Sequence, residues 1–229
     1  MPFISRTKLR YDREKPQMNV VEALITTYLQ ARMQQQECLK KWNSVSYHLG
    51  PLLPASLLVF TIQQQGETDA VLRCVEDEFA DPQKLGRLDL ALQYYSTLAT
   101  YWIGGVYEIL RLLRERKLIS DHNFEPLMKD FELLRIPLEK HEIAKDREFK
   151  EPQNMSRVPP KEAGSNYYTY DPKSPTRAHI MPSGLSSRGS MVWQTIDAKS
   201  KETRWIERRS LSDKILELWG SKTTQQDTR

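Results

Sequence analysis

The chain has 229 residues, 39% of them hydrophobic and 28% charged, with a net charge of +4. This is enough for one domain with a sizeable core, or one domain plus an appendage. The longest apolar run, Ala55 to Phe60, is too short to cross a bilayer, and the opening MPFISRTKLRYDREKP lacks the apolar stretch and cleavage site of a secretory signal, so no membrane partner and a cytoplasmic location are expected.

Cys38 and Cys74 stand singly with no CxxC partner. They read as core or half-buried thiols in a reducing compartment, not as a disulfide or metal ligands. From Lys150 onward there are 14 Lys and Arg against 9 Asp and Glu, so the basic excess lies in the C-terminal third. That mild excess permits a phosphate-rich partner without requiring one.

In chain order, Val21, Leu24, Tyr28, Ala31, Cys38 and Trp42 recur at helical spacing, predicting one helix from Asn19 to Trp42 that ends before Gly50, with Pro16 at its entrance. Gln34 to Gln36 reads as a solvated face. After Gly50, Pro51 and Pro54, a short buried helix is expected over Ala55–Gln64, with Ser56 an alternative start and Gly66 its break. A further helix over Asp69–Ala80 presents Val71, Leu72, Val75 and Phe79, and Asp81-Pro82 ends it.

A long helix begins near Gly86, with Tyr95, Leu98, Trp102, Gly105, Ile109 and Leu112 alternating spacings of three and four. Gly104-Gly105 in its middle costs about 1 kcal/mol per residue against alanine and marks a close crossing or a kink. Glu108 is read as an ion-pair partner for Arg111 or Arg114. Ser120, Asp121 and Asn123 form a helix-starting turn, with Glu125-Pro126 in the first turn and Leu127, Phe131 and Leu134 on the buried face. Pro137 is expected to close this helix and to open a second one carrying His141, which leaves Arg135 at the junction.

Residues 150–189, with six prolines and many serines, read as a linker or extended arm. Its aromatic stretch NYYTYDP (Asn166–Pro172) is expected to pack on its own domain in preference to stacking on bases or docking a partner. Met191–Ile196 and Thr203–Glu207 read as two strands with Trp193 and Trp205 available to pair across them. Such a hairpin needs a surface to lean on. Ser210 and Asp213 suggest a capping box for a final helix with Leu211, Ile215, Leu218 and Trp219 on its apolar face, ended by Gly220. The tail after it is expected to be disordered.

The architecture predicted is therefore mainly α: a bundle of five or six helices over residues 1–149, the arm at 150–189, a β-hairpin plus helix at 190–220, and a tail at 221–229. No P-loop, GxGxxG, GxSxG, HExxH or zinc-finger spacing occurs in the sequence. Neither a cofactor nor a metal is expected. Glu207–Ser210 (ERRS) is a basic cluster, read as a solvated edge with a phosphate contact as the alternative.

Arg135, five residues and then His141, late in an all-helical region, resembles the R-x4–6-H motif of the HEPN superfamily, over roughly residues 17–149. Many members are metal-independent endoribonucleases of toxin and defence systems. The resemblance implies a homodimer in which Arg135 and His141 of two protomers meet. A histidine with a pKa near 6.5 exchanges protons at neutral pH, and a forked, permanently charged arginine braces a developing phosphorane. The chain departs from the family at Ile136, where a polar residue is common. The bland alternatives are an Arg135 paired with Glu132 or Glu139 and a surface His141; His48, His122 and His179 read as structural or solvated. Three functions stay open: an HEPN-like ribonuclease, a non-catalytic helical protein-interaction module, and an RNA-binding protein without cleavage.

Overall fold

The computed structural model describes residues 19–81, 88–156 and 167–223. Pro16, Pro82, Gly86, Asn166 and the tail from 224 lie outside the described residues. Among the described residues six α-helices carry the fold: α1 (Val20–Gln34), α2 (Gln36–Leu49), α3 (Leu58–Phe79), α4 (Leu88–Glu115), α5 (Phe124–Lys140) and α6 (Arg208–Thr223). Between α5 and α6 run β1 (Gln153–Ser156), β2 (Tyr167–Tyr170), β3 (Ser183–Leu185), β4 (Met191–Ile196) and β5 (Thr203–Glu207). β1 and β2 pair antiparallel, and β3, β4 and β5 form a second antiparallel sheet in that order. The mainly α expectation matches this; the arm region, as described, also contributes β1, β2 and β3.

The helix predicted over Asn19–Trp42 is two helices. α1 opens with a capping box in which Asn19 Oδ1 accepts from Glu22 N–H at 2.9 Å. The chain turns at Gln35, with neither Gly nor Pro to announce it, and Gln35 Nε2 donates to Asp77 on α3 at 3.2 Å. The break lets both helices pack on α3. Conversely, the two helices predicted across Gly66 are one. Gly66 lies mid-helix where an added Cβ would stand 2.6 Å from Trp42 Cβ, so it serves as the contact point of α2 on α3 and not as a breaker. Ser56 Oγ accepts from Leu58 N–H at 3.2 Å where α3 begins.

Trp42, Ile62, Leu72, Tyr95, Trp102, Ile103, Leu110, Phe131 and Leu134 fill the main core. Trp42 and Trp102 meet edge to face, with ring centroids 6.4 Å apart. At Gly105 a Cβ would lie 2.5 Å from Gln65 Nε2 on α3, and at Gly104 one would lie 2.9 Å from Glu139 Oε1 on α5, so the glycine pair makes room for a side chain from each neighbouring helix.

α5 runs unbroken through Pro137 to Lys140, correcting the expected junction at Arg135. Pro137 falls in the last turn and is buried, so its lost hydrogen bond affects little helix beyond it and its ring packs on the core. His141 is the C-cap, at φ 56°, and its carbonyl accepts from His179 N–H at 2.7 Å.

A small second cluster joins Ile143, Phe149, Met155, Tyr170 and Ala198. There Tyr170 donates to Asp146 at 2.8 Å, so the aromatic stretch packs on its own chain.

In the second sheet Trp193 faces Ile206 and Trp205 faces Gln194. The two tryptophans therefore lie on opposite faces, Trp193 buried and Trp205 exposed, because neighbouring positions in a strand point opposite ways. This sheet leans on the bundle through Gly189 (φ 69°), where an added Cβ would come within 2.0 Å of the Glu76 carbonyl oxygen. α6 begins two residues before Ser210 and passes through Gly220 to Thr223, extending both expected ends.

Candidate functional site

Arg135, in the body of α5, stacks its guanidinium 5.2 Å from the centre of the Tyr107 ring on α4. Its Nε lies 2.8 Å from Glu139 Oε2 and its terminal nitrogen 3.6 Å from Glu108 Oε1. Neither approach aligns a hydrogen bond on Nε, which is buried. Glu108 also takes Arg111 at 2.8 Å, as the sequence suggested. These groups border a groove of about 620 Å³ between α4 and α5, lined among others by Thr97, Tyr101, Gly104, Glu108, Arg135 and Glu139.

His141 is exposed and does not line that groove. Six residues along a helix correspond to about 120° of rotation and about 9 Å of rise, so one chain turns the two candidates to different faces. A meeting of Arg135 with His141 requires a second protomer. His122 is exposed beside Asp121 at 3.6 Å.

His179 is buried. Its Nδ1 lies 2.6 Å from the Tyr168 hydroxyl, which accepts from Ile180 N–H, while Nε2 has no hydrogen-bond partner. Burial pushes its pKa down to about 4.

The ERRS cluster is not a solvated edge. Arg208 is fully buried, forked onto Glu76 at 2.6 and 2.7 Å, ion-paired with Asp69, and 5.1 Å from the Trp102 ring. Asp69 also accepts from Arg73 Nε at 2.9 Å, Trp42 Nε1 at 2.9 Å and Ser212 Oγ at 2.7 Å. Glu76 accepts from Tyr95 at 2.6 Å and Ser190 at 2.8 Å. Burial raises the Asp69 pKa, and the guanidiniums of Arg208 and Arg73 outweigh it, holding the carboxyl well below the usual range. Burial and the carboxylate of Asp69 push the Cys38 thiol up, which makes it a poor nucleophile. Every polar group of the cluster answers another, and it binds α2, α3, α4, β4 and α6 together. Its sequence signal was the spacing Asp69, Arg73, Glu76 on one helix face.

Other cations of the C-terminal third also pair with carboxylates, nearer the surface: Arg177 with Asp146 at 2.6 Å, Arg209 with Asp77 at 2.5 Å, Lys214 with Asp130 at 2.9 Å, and Arg204 with Asp130. Among the described residues no group of three or more His, Cys, Asp or Glu is placed to hold a metal ion, and no helix is long and apolar enough to cross a membrane.

Sequence periodicity missed where apolar side chains are left in water. Val21, Leu24 and Tyr28, which recur at helical spacing with Ala31, are exposed on α1, as are Val20, Ile25, Leu29 and Met33. On α4, Leu90, Tyr94, Leu98 and Tyr101 form a second exposed row at helical spacing. No family model, curated protein or solved structure matches the chain.

Proposed function

We propose that the protein is a non-catalytic helical interaction module that binds protein surfaces through α1 and α4. The observation that carries this reading is the pair of exposed apolar rows, Val21, Ile25, Leu29 and Met33 on α1 and Leu90, Tyr94, Leu98 and Tyr101 on α4. Single exposed apolar residues are ordinary, but contiguous apolar patches of several hundred Å² mark interaction sites. The buried ionic cluster supplies the rigid scaffold on which these faces are presented.

The test is site-specific photo-crosslinking in the cell that makes the protein. A photoreactive phenylalanine replaces Tyr94 or Tyr101, each 72% exposed, with Tyr47, 70% exposed among polar neighbours on α2, as control. Adducts of discrete mass are expected from positions 94 and 101 and none from 47. Absence of adducts at all three would sink the reading.

A second proposal is the HEPN-like ribonuclease, favoured by the stacked Arg135 guanidinium beside an open groove. In it Arg135 braces the phosphate and His141 of another protomer moves the proton. Incubation of an RNA pool with purified protein in EDTA tests it. Cleavage by wild type and its loss in both Arg135→Ala and His141→Ala is the expected outcome; equal rates in all three, or no cleavage at all, would remove this proposal.

A further inference from the structure

The apolar stripe on α1 repeats every four residues: Val21, Ile25, Leu29 and Met33, each between 54% and 74% exposed. The helix holds to the bundle on another side. Ala31 is buried against Ala70 and Val71 of α3. By helical geometry the centre of the stripe lies about 140° around α1 from Ala31, so it faces away from its own core. Glu22 and Arg32 are the charged residues of α1, and both flank this stripe. A surface helix ordinarily turns charge to solvent on the face opposite the core; α1 turns leucine, isoleucine, valine and methionine there.

We infer that the stripe docks a second copy of this chain, with the two α1 helices antiparallel about a two-fold axis that passes between Ile25 and Leu29, level with position 27 along the helix. The inference rests on the interaction reading above and names its partner. The midpoint of the stripe and the midpoint between Glu22 and Arg32 coincide at residue 27. A two-fold there sets Val21 against Met33 of the other copy, Ile25 against Leu29, and Glu22 against Arg32, twice each, as an isologous contact demands; Arg32, paired with Glu67 at 2.9 Å in its own chain and 61% exposed, takes a second carboxylate. The charges that would repel in a parallel pair complement one another in this one. Rows spaced by four are also the ridges that interlock in the commonest helix packing.

With Leu24 and Tyr28 at its margin, the face exposes on the order of 600 Å² per copy, so a pair buries up to about 1,200 Å², the lower edge of specific interfaces. A lipid surface fits less well. Interfacial helices carry several Lys and Arg on their polar side, whereas α1 carries Arg32 alone.

Sedimentation equilibrium of the full chain from about 1 to 200 μM, a span that reaches dissociation constants in the micromolar range, tests the inference. The expected mass rises with concentration toward twice the 26.8 kDa of one chain. Ile25→Asp with Leu29→Asp should weaken association about 100-fold or more, because each aspartate would be buried in an apolar contact. Both side chains are more than half exposed in the single chain, so the variant should keep the helical circular dichroism of wild type, with a melting point lowered by the poorer helix propensity of two aspartates.

Glu22→Lys and Arg32→Glu fix the register. Each variant alone places like charges together and should self-associate less than wild type. An equimolar mixture restores both opposite-charge pairs and should associate more strongly than either variant alone.

A wild type that stays monomeric throughout, an aspartate variant that still dimerises, or a mixture no stronger than its components would each overturn the inference. A monomer that floats with phosphatidylglycerol–phosphatidylcholine vesicles, and stops doing so in the aspartate variant, would overturn it in favour of lipid. A monomer that still yields crosslinks from Tyr94 and Tyr101 would overturn it while leaving the interaction reading in place.

Discussion

Arg208 has no exposed surface, and its charge is answered by Asp69, by both oxygens of Glu76 and by the face of Trp102. Such a cluster is weak evidence of net stabilisation, since desolvation offsets much of the attraction. Removing one partner is different, because the carboxylates left behind are stranded in a low-dielectric interior. Arg208→Met should therefore lower unfolding free energy in urea by about 3–5 kcal/mol. Arg111→Met, which removes exposed pairs with Glu108 and Glu115, should leave it nearly unchanged. Equal effects of the two would contradict this account of the cluster. Asp69 adds an acid limit: its pKa is depressed in the fold, so its contribution is present above the unfolded carboxylate pKa and lost as pH falls below it.

At the scale of elements, the connection from α5 to β3 depends on a neutral histidine. His179 N–H closes the end of α5 on the His141 carbonyl, and its ring lies between Tyr168 and Tyr170 with Nε2 unpartnered. Burial lowers its pKa from 6.5 to about 4, so the folded state favours the uncharged ring. Its contribution is complete above pH 6.5 and is lost as pH falls toward 4, by about 3 kcal/mol at most. In wild type, urea stability and amide protection over residues 168–181 should fall across that window. In His179→Phe the slope over the same window should flatten; an identical slope in both would assign the pH dependence elsewhere. The same scale shows what local patterns conveyed. β4 and β5 occur at the predicted residues because β-branched and aromatic residues mark both and alternating burial marks β4. The turn at Gln35 and the continuity of α3 through Gly66 were not legible. The first has no Gly or Pro to signal it, and the second reverses the usual local meaning of glycine, since the fit of Trp42 decides it.

For the whole molecule, periodicity located the apolar side of a helix without saying which apolar sides meet. On α5, Leu127, Phe131 and Leu134 are buried as expected; on α1, Val21 and Tyr28 share a helix with buried Ala31 and still face water. A stripe facing a core and a stripe facing a partner have the same spacing, so the surface carrying the proposed function could be found only after the neighbours of each helix were known. The charge distribution behaves the same way. The basic C-terminal third was visible as composition, but the direction of its arginines was not. Arg208 reaches carboxylates 139 and 132 positions earlier in the chain, on α3.

The amino-acid sequence by itself determined the mainly α class, the apolar face of α5 along Leu127, Phe131 and Leu134, and the β4–β5 hairpin, because each follows from a pattern among residues near in sequence. The tertiary structure decided the rest: the split of α1 from α2, the burial of Arg208, the separation of Arg135 from His141 onto different faces, and the exposure of the α1 stripe. Those outcomes depend on which distant surfaces exclude water from one another, and burial of that kind is a property of the assembled chain, not of any segment within it.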